Sequence, residues 1–440
     1  KLRPGTNVAV LNMMLHFIVK SKLYNADFVR DRTEGFDNFL KEIERQDVDQ
    51  LAKVAGVDKQ FVKEAAIAYA TARNSMEFHG LGVTEHEQGS KTVMLIADLA
   101  MITGNIGRKG VGVNPLRGQN NVQGAADMGC QPHQGAGYFE VADKNNQKFY
   151  TEKYGVTHPT KAGLKIPQMF ESAISKELKG LWIIGEDIVQ TDPNSAHVIE
   201  AMNSLELLVV QEIFMSETAK LATVVLPGTT FLEKDGTFTN TERRIQRVNR
   251  AVPPLPGTKP DGLIVTEMMQ KLGFDQPSYD ADQVLAEIAD IVPFFKGVTR
   301  ERLGKLGLQW PVKEDGTDTQ ILHTETFKLG KGRLKNFDWK ESSEIEANQK
   351  DYPLILTTSR VLQHYNAATM TRRTKNINIV DEDVLLIHPK DAAYRDLNTG
   401  DIGRLYSGRG EVALKVEVTD KVKEGIVFTT FHFPEHMVNM

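Results

Sequence analysis

Apolar positions follow two different spacings along this chain. Near the start, Val8, Leu11, Leu15, Ile18 and Val19 recur with the helical period behind Asn7, a good N-cap, and predict an amphipathic helix. A second helix is expected after Asp58, with Phe61, Val62, Ala65, Ala66 and Tyr69 on one face. A third runs from Ser90 to about Thr103 and is closed by Gly104. Between them, residues 77–82 read as a short strand entering a glycine turn. Later the spacing changes: 181–184, 207–210 and 222–226 are continuously apolar, separated by a helix predicted over 194–203 and another from Ser216. Strands of that kind, alternating with helices, read as parallel and buried on both faces. Ligands of such sheets bind beyond the carboxyl ends of the strands, where the polar clusters 185–187, 211–214 and 227–230 fall.

Two further helices are predicted near 263–272 and 281–291, followed by a polar, irregular connection. Beyond Tyr352 the pattern turns to strands at 354–358, 384–387, 402–407, 411–418 and 426–431, with Gly408-Arg409-Gly410 joining two of them as a hairpin. The expected fold class is therefore α/β, with parallel-sheet α/β domains followed by a β-rich, barrel-like C-terminal domain.

Composition narrows the partners. At roughly 150 residues per domain, 440 residues predict about three domains. A hydrophobic share of 40%, a charged share of 25% and a net charge of -5 exclude a disordered acidic tail and a general nucleic-acid binder. The single cysteine, Cys130, cannot form an intramolecular disulfide, a four-thiolate zinc site or an iron-sulfur cluster alone. The most apolar window, 93–102, is interrupted by Asp98 and is far shorter than the roughly 18 residues that span a bilayer, so no membrane span is expected. Lys1 opens the chain with no leader pattern behind it, which predicts a fragment.

Between Gly104 and Gly129 lie seven glycines in 26 residues, with the amides Asn114, Gln119, Asn120, Asn121 and Gln123 among them. The stretch reads as neither helix nor strand. Such a segment is either a surface linker or a loop whose backbone approaches a polar or anionic ligand closely, with amides and an arginine to bind it. Arg117 sits between Pro115 and Gly118, and its guanidinium suits either a bidentate clamp on a carboxylate or phosphate or an interdomain ion pair. The arginines of 233–250 read as part of a solvated charged loop.

The segment Met101-Ile-Thr-Gly-Asn-Ile-Gly107, followed by Gly112-Val-Asn-Pro-Leu-Arg-Gly-Gln-Asn-Asn-Val-Gln-Gly-Ala125, resembles the catalytic subunit of molybdopterin-dependent formate dehydrogenases. The likeness extends through Arg32-Thr-Glu-Gly-Phe36, Gly185-Glu-Asp187, Val210-Gln-Glu-Ile-Phe-Met215, Leu226-Pro227, His364-Tyr365 and Phe431-His432-Phe433, over essentially the whole chain. It implies reversible oxidation of formate to carbon dioxide at molybdenum or tungsten held by two molybdopterin guanine dinucleotides, with electrons leaving through an iron-sulfur cluster to an electron-transfer subunit. Arg117 would orient the formate carboxylate, with Gln119 beside it. Gly82, Gly118, Gly185, Glu186, Asp187, Gln211, Glu212, Ile213, Pro227, Gly228 and Asp261 would contact the cofactor, and Thr358, Arg360, His364 and Asn439 would close over the pterins. His364 is open to a second reading as a satisfied interior histidine. The implied architecture is a partial cofactor domain over 1–119, a Rossmann-like guanine-dinucleotide domain over 120–330, a linker over 331–351 and a barrel-like dinucleotide-binding domain over 352–440, truncated at its end.

In that family the metal-bound cysteine or selenocysteine, its histidine and the [4Fe-4S] ligands lie upstream of the arginine. The resemblance therefore implies an interior and C-terminal portion, cytoplasmic, completed by an absent N-terminal region and inactive alone. Cys130 then reads as buried or incidental and not as the metal ligand. Two alternatives stand beside this: another molybdopterin oxidoreductase, such as an assimilatory nitrate reductase, or a non-catalytic cofactor-binding module of a larger complex.

Overall fold

The computed structural model describes residues 1–439. Helix α1 (Asn7–Lys20) buries Val8, Leu15, Ile18 and Val19, as its periodicity predicts, but Thr6 is its N-cap and Asn7 its first helical residue. Helix α2 (Lys59–Thr71) is capped by the Asp58 carboxylate, which accepts from the Gln60 amide. Only part of its expected face is inside: Val62 and Ala66 are buried, whereas Phe61 is 70% exposed and Ala65 also faces outward. Strand β1 (Met76–His79) and helix α3 (Gly89–Ile102) follow. α1, α3 and Val29, Phe39 and Ile43 make the first core. Leu334, from far along the chain, joins it, and residues 332–333 pair in parallel with 33–34. Asn12 Nδ2 donates to the Phe337 carbonyl at 2.8 Å and Trp339 Nε1 to Gly5 at 3.1 Å, so the 331–351 segment lies strapped along this first core.

The glycine-rich stretch departs from its predicted lack of regular structure. It contains strand β2 (Gly112–Pro115), parallel to β1 with His79 opposite Pro115, and helix α4 (Val122–Asp127). Four residues are too few to show a strand's alternation, and the pairing partner lies about 36 positions upstream, which is why local pattern misses it.

Strands β3 (Gly180–Ile184), β4 (Leu207–Glu212) and β5 (Val224–Pro227) form the predicted parallel sheet in the order β3-β4-β5, but not with the expected burial on both faces: Ile184, Leu207 and Val224 are exposed. Helix α5 (Ser195–Ser204) crosses between the first two strands, and Leu208 and Val210 are buried against its Val198, Ala201 and Met202. A single turn, α6 (Glu217–Lys220), separates the last two. Next come β6 (Gly236–Thr239) and β7 (Arg244–Val248), an antiparallel pair, then helices α7 (Asp261–Lys271) and α8 (Ala281–Ile291). Ile245, Leu285, Ile291 and Phe295 share a separate core with Tyr150.

The C-terminal part is a five-stranded mixed sheet. Its strands are β8 (Ile355–Ser359), β9 (Val384–Ile387), β10 (Ile402–Tyr406), β11 (Glu411–Val418) and β12 (Ile426–Thr430), ordered β8-β12-β9-β11-β10. The expected β10–β11 hairpin is present. The sheet does not close: β8 and β10 are free edges among the described residues, which corrects the barrel-like expectation. Alternation along a strand reports which face is buried, not whether the sheet's ends meet. A buried aspartate, Asp383, holds its upper end by accepting from the amides of His432 and Phe433, each at 3.2 Å, and from the Thr430 hydroxyl.

Candidate functional site

Two polar regions lie at the carboxyl ends of parallel strands. The first is the loop that leaves β2. Its backbone is pinned: Leu116 N donates to the His79 carbonyl at 2.7 Å, and the Thr241 hydroxyl bridges the Pro115 carbonyl at 2.6 Å and the Arg117 amide at 3.0 Å. Asn121, at φ 64°, turns the chain into α4 while its Oδ1 accepts from Thr239 N at 2.9 Å. Arg117, Gly118 and Gln119 are exposed at the tip. Arg117 Nε donates to Gln123 Oε1 at 3.2 Å, leaving the two terminal guanidinium nitrogens without a protein partner among the described residues. Gly82 lies in the short turn 81–84 that follows β1, with open space where a side chain would stand. Pairing of β1 with β2 sets that turn beside the start of the Arg117 loop, with the Gly80 position facing the Leu116 carbonyl.

Beneath the loop, Asp127 is fully buried. It accepts from Gln123 Nε2 at 2.8 Å, Tyr138 OH at 2.7 Å and Trp310 Nε1 at 2.9 Å. Burial pushes its carboxyl up from the ordinary range, while these donors and the nearby Arg117 charge pull it back toward ionisation.

The second region is the edge of the β3-β4-β5 sheet. Gly185, at φ 66°, donates its amide to the Gln211 carbonyl at 2.8 Å as the chain leaves β3. Asp187 is buried and turned inward, accepting from the Thr218 amide at 2.9 Å, its hydroxyl at 2.7 Å and the Glu217 amide at 3.3 Å at the start of α6. Glu186 points outward, its carboxyl raised by loss of solvent and by neighbouring Asp192. Glu212 accepts from Ile213 N at 2.7 Å and is raised chiefly by burial.

Gln211 Nε2 donates to Asp261 Oδ1 at 2.7 Å, and Lys234 pairs with the other oxygen. Gly228, after Pro227, has its missing side chain replaced by Asp261 Oδ1, 3.3 Å from where a Cβ would stand. The buried Gln211 Oε1 and Thr229 Oγ1 have no protein partner among the described residues. Unpartnered buried acceptors beside a glycine cradle suit a ligand that brings N–H donors. A guanine, with its N1 and N2 donors, is such a ligand. These acceptors thus fit the guanine of a dinucleotide cofactor.

The C-terminal part reaches both regions. Tyr365 OH donates to the Gly118 carbonyl at 3.2 Å, Arg373 lies over the Phe214 ring at 4.6 Å, and Gln190 Nε2 donates to the carbonyls of Ala367 and Phe431 at 3.0 and 3.1 Å. Thr358 is exposed at the end of β8, and Arg360, over the Phe431 ring, donates to Asn366 Oδ1 at 2.9 Å. His364 is buried, with Nδ1 3.0 Å from the Thr371 hydroxyl and Nε2 2.8 Å from the Val380 carbonyl, so both ring nitrogens serve the 361–380 loop. Asn439 donates to the carbonyls of Gln190 and Thr191, both at 3.1 Å.

The strand ends thus collect Gly185, Glu186, Gln211, Glu212, Ile213, Pro227, Gly228 and Asp261 in one place, whereas Arg117 and Gln119 stand apart from them on their own loop. Sequence reasoning missed Thr241, Lys234, Asp127, Tyr138 and Trp310. Asp127 was the one carboxylate in an amide-rich run, which was the available signal. Cys130 is a free, exposed thiol and not a buried one.

Residues 1–271 match the molybdopterin oxidoreductase family, and residues 354–440 match the molybdopterin dinucleotide binding domain. Among curated proteins, the F420-dependent formate dehydrogenase subunit alpha of Methanocaldococcus jannaschii is 42% identical over 99% of this chain. Formate dehydrogenase H of Escherichia coli is 34% identical over 98%. The chain spans 65% and 61% of the lengths of these relatives. Among solved structures, acetylene hydratase from Pelobacter acetylenicus superposes with a TM-score of 0.71 at 18% identity, over 98% of this chain and 63% of that one, a likeness of fold.

Proposed function

The chain belongs to the molybdopterin oxidoreductase family, and from that premise we propose that it forms the substrate- and cofactor-enclosing part of a formate dehydrogenase catalytic subunit. The observation that carries the reading is Arg117. Its loop is fixed at the backbone, its Nε is occupied, the residue is exposed, and its two terminal nitrogens have no protein partner among the described residues. Formate is a one-carbon monoanion whose only handles are two oxygens, and a guanidinium fork matches both at once. Relatives named as formate dehydrogenases, 34–42% identical across nearly the whole chain, support the substrate.

When bound, a molybdenum or tungsten bis(molybdopterin guanine dinucleotide) centre would accept the two electrons of the conversion of formate to carbon dioxide and a proton, and a [4Fe-4S] cluster held by residues outside this chain would pass them to a partner subunit. The chain's own residues would bind and orient. Arg117 would hold the carboxylate, with Gln119 beside it and Gly82 and Gly118 giving clearance for the pterin. Gln211, Gly228 and Asp261 would take one guanine, with Gly185, Glu186, Asp187, Glu212, Ile213 and Pro227 around it. Thr358 and Arg360 would close over the pterins, with His364 and Asn439 holding the 361–380 loop and the C-terminal segment behind them.

The test is formate-dependent reduction of a viologen dye by the purified holoenzyme containing this chain, with carbon dioxide and the cofactor measured in parallel. The expected result is one carbon dioxide for every two electrons delivered. Full cofactor occupancy with no formate-dependent reduction would overturn the formate assignment.

A further inference from the structure

Arg117 is aimed by a buried relay that begins at an aspartate none of the expected contacts includes. Trp310 Nε1 can only donate, and it takes Asp127 Oδ2 at 2.9 Å. Tyr138 OH donates to Asp127 Oδ1 at 2.7 Å and accepts from Gln123 Nε2 at 3.0 Å. Since the carboxylate only accepts, Gln123 must turn its NH2 toward Asp127, at 2.8 Å, and its carbonyl oxygen the other way. That oxygen meets Arg117 Nε at 3.2 Å. The relay is rigidly housed. Tyr138, at φ 62°, is stacked on Phe294, which packs on Trp310 with 4.8 Å between ring centroids. Gly129 admits the 135–136 backbone so closely that a Cβ would stand 2.3 Å from it.

We infer that Asp127, acting through Gln123 with Tyr138 and Trp310 as its fixed donors, is a positioning residue that sets which edge of the Arg117 guanidinium meets the substrate carboxylate. A guanidinium can grip a carboxylate end-on through its two terminal nitrogens or side-on through Nε and one of them. With Nε held by Gln123, only the end-on fork remains. The inference rests on the formate reading for its substrate, but the relay itself does not.

Asp127→Asn is isosteric and reverses the logic. The Trp310 N–H still demands an acceptor, so the new amide must present its NH2 to Gln123 and Tyr138. Gln123 then flips, and its own NH2 faces Arg117 Nε, donor against donor. In the holoenzyme carrying this chain, Asp127→Asn is expected to raise the KM for formate by about tenfold or more, the effect of losing one hydrogen bond to a charged group, while kcat changes less. Gln123→Met, which removes the acceptor without touching the carboxylate, should give a rise of the same size, and the double variant no more than either single one. Crystal structures of the variants read the relay without turnover: the guanidinium should leave its position over Gln123. A wild-type enzyme that ignores formate would sink the substrate reading alone. A guanidinium unmoved in Gln123→Met, KM within about twofold of wild type in both single variants, or fully additive effects would overturn the relay.

Discussion

The ends of β2 and of the β3-β4-β5 sheet occupy the same kind of place, the carboxyl edge of parallel strands, yet they treat polar side chains in opposite ways. At the three-stranded sheet the carboxylates are largely turned to the fold's own needs. Asp187 caps α6 through three hydrogen bonds, and Asp261 is shared between Gln211 and Lys234. At β2 the buried carboxylate, Asp127, is likewise satisfied, but the charge it supports is left outside, on Arg117. One edge is a shaped cradle for a large polar ligand. The other is a fixed backbone that presents one cation. Loss of the buried carboxylate in the first should therefore be felt as stability, and loss of the presented cation in the second as affinity.

The largest expected effect on stability belongs to Asp187→Ala. It strands the Thr218 amide and hydroxyl and the Glu217 amide in a buried site, at a cost of about 3 kcal/mol or more, visible as a lower denaturation midpoint. A loss below about 1 kcal/mol would mean that the cluster is not closed.

A pH effect comes next. Glu77, on β1 opposite Val113, is held up to about 7 mainly by burial, with the Tyr69 hydroxyl pulling the other way. The fold favours the neutral acid, whereas the unfolded chain ionises near 4.5. Its contribution is thus fully present below about 4.5 and is lost as pH rises to about 7. Glu77→Gln should remove that slope from a melting-temperature profile between those values; a parallel profile would contradict the assignment.

Thr241→Val should cost about 1 kcal/mol by unpinning the Arg117 amide and the Pro115 carbonyl, read as faster amide exchange at 115–118. Smallest of all, Arg117→Gln should change stability by no more than about 0.5 kcal/mol, because its guanidinium spans only one long hydrogen bond to the protein. A large loss there would make the arginine structural and collapse the contrast between the two edges.

The strand ends were legible in the sequence because β3 and β4 carry continuous apolar runs of four residues and β5 a shorter Val224-Val225-Leu226 run, each stopping at a polar cluster, and the parallel order of the strands puts those clusters side by side. Helix α8 was expected near 281–291 and runs over Ala281–Ile291; the structure adds its cap, the Asp280 carboxylate, and shows Leu285 and Ile291 buried. What local pattern could not carry was distance. β2 is a strand only because β1 lies beside it, and Asp127 is a hub only because Tyr138 and Trp310 arrive from 11 and 183 positions away. Phe61 illustrates the converse: the right spacing for a helical face does not say which stripe of that face meets a neighbour.

The most direct measurement of the central claim is formate turnover by the Arg117→Gln holoenzyme at full cofactor content. Loss of a bidentate, charge-assisted pair should lower kcat/KM by about a hundredfold or more, with the melting temperature unchanged. A kcat/KM within about twofold of wild type would contradict the account.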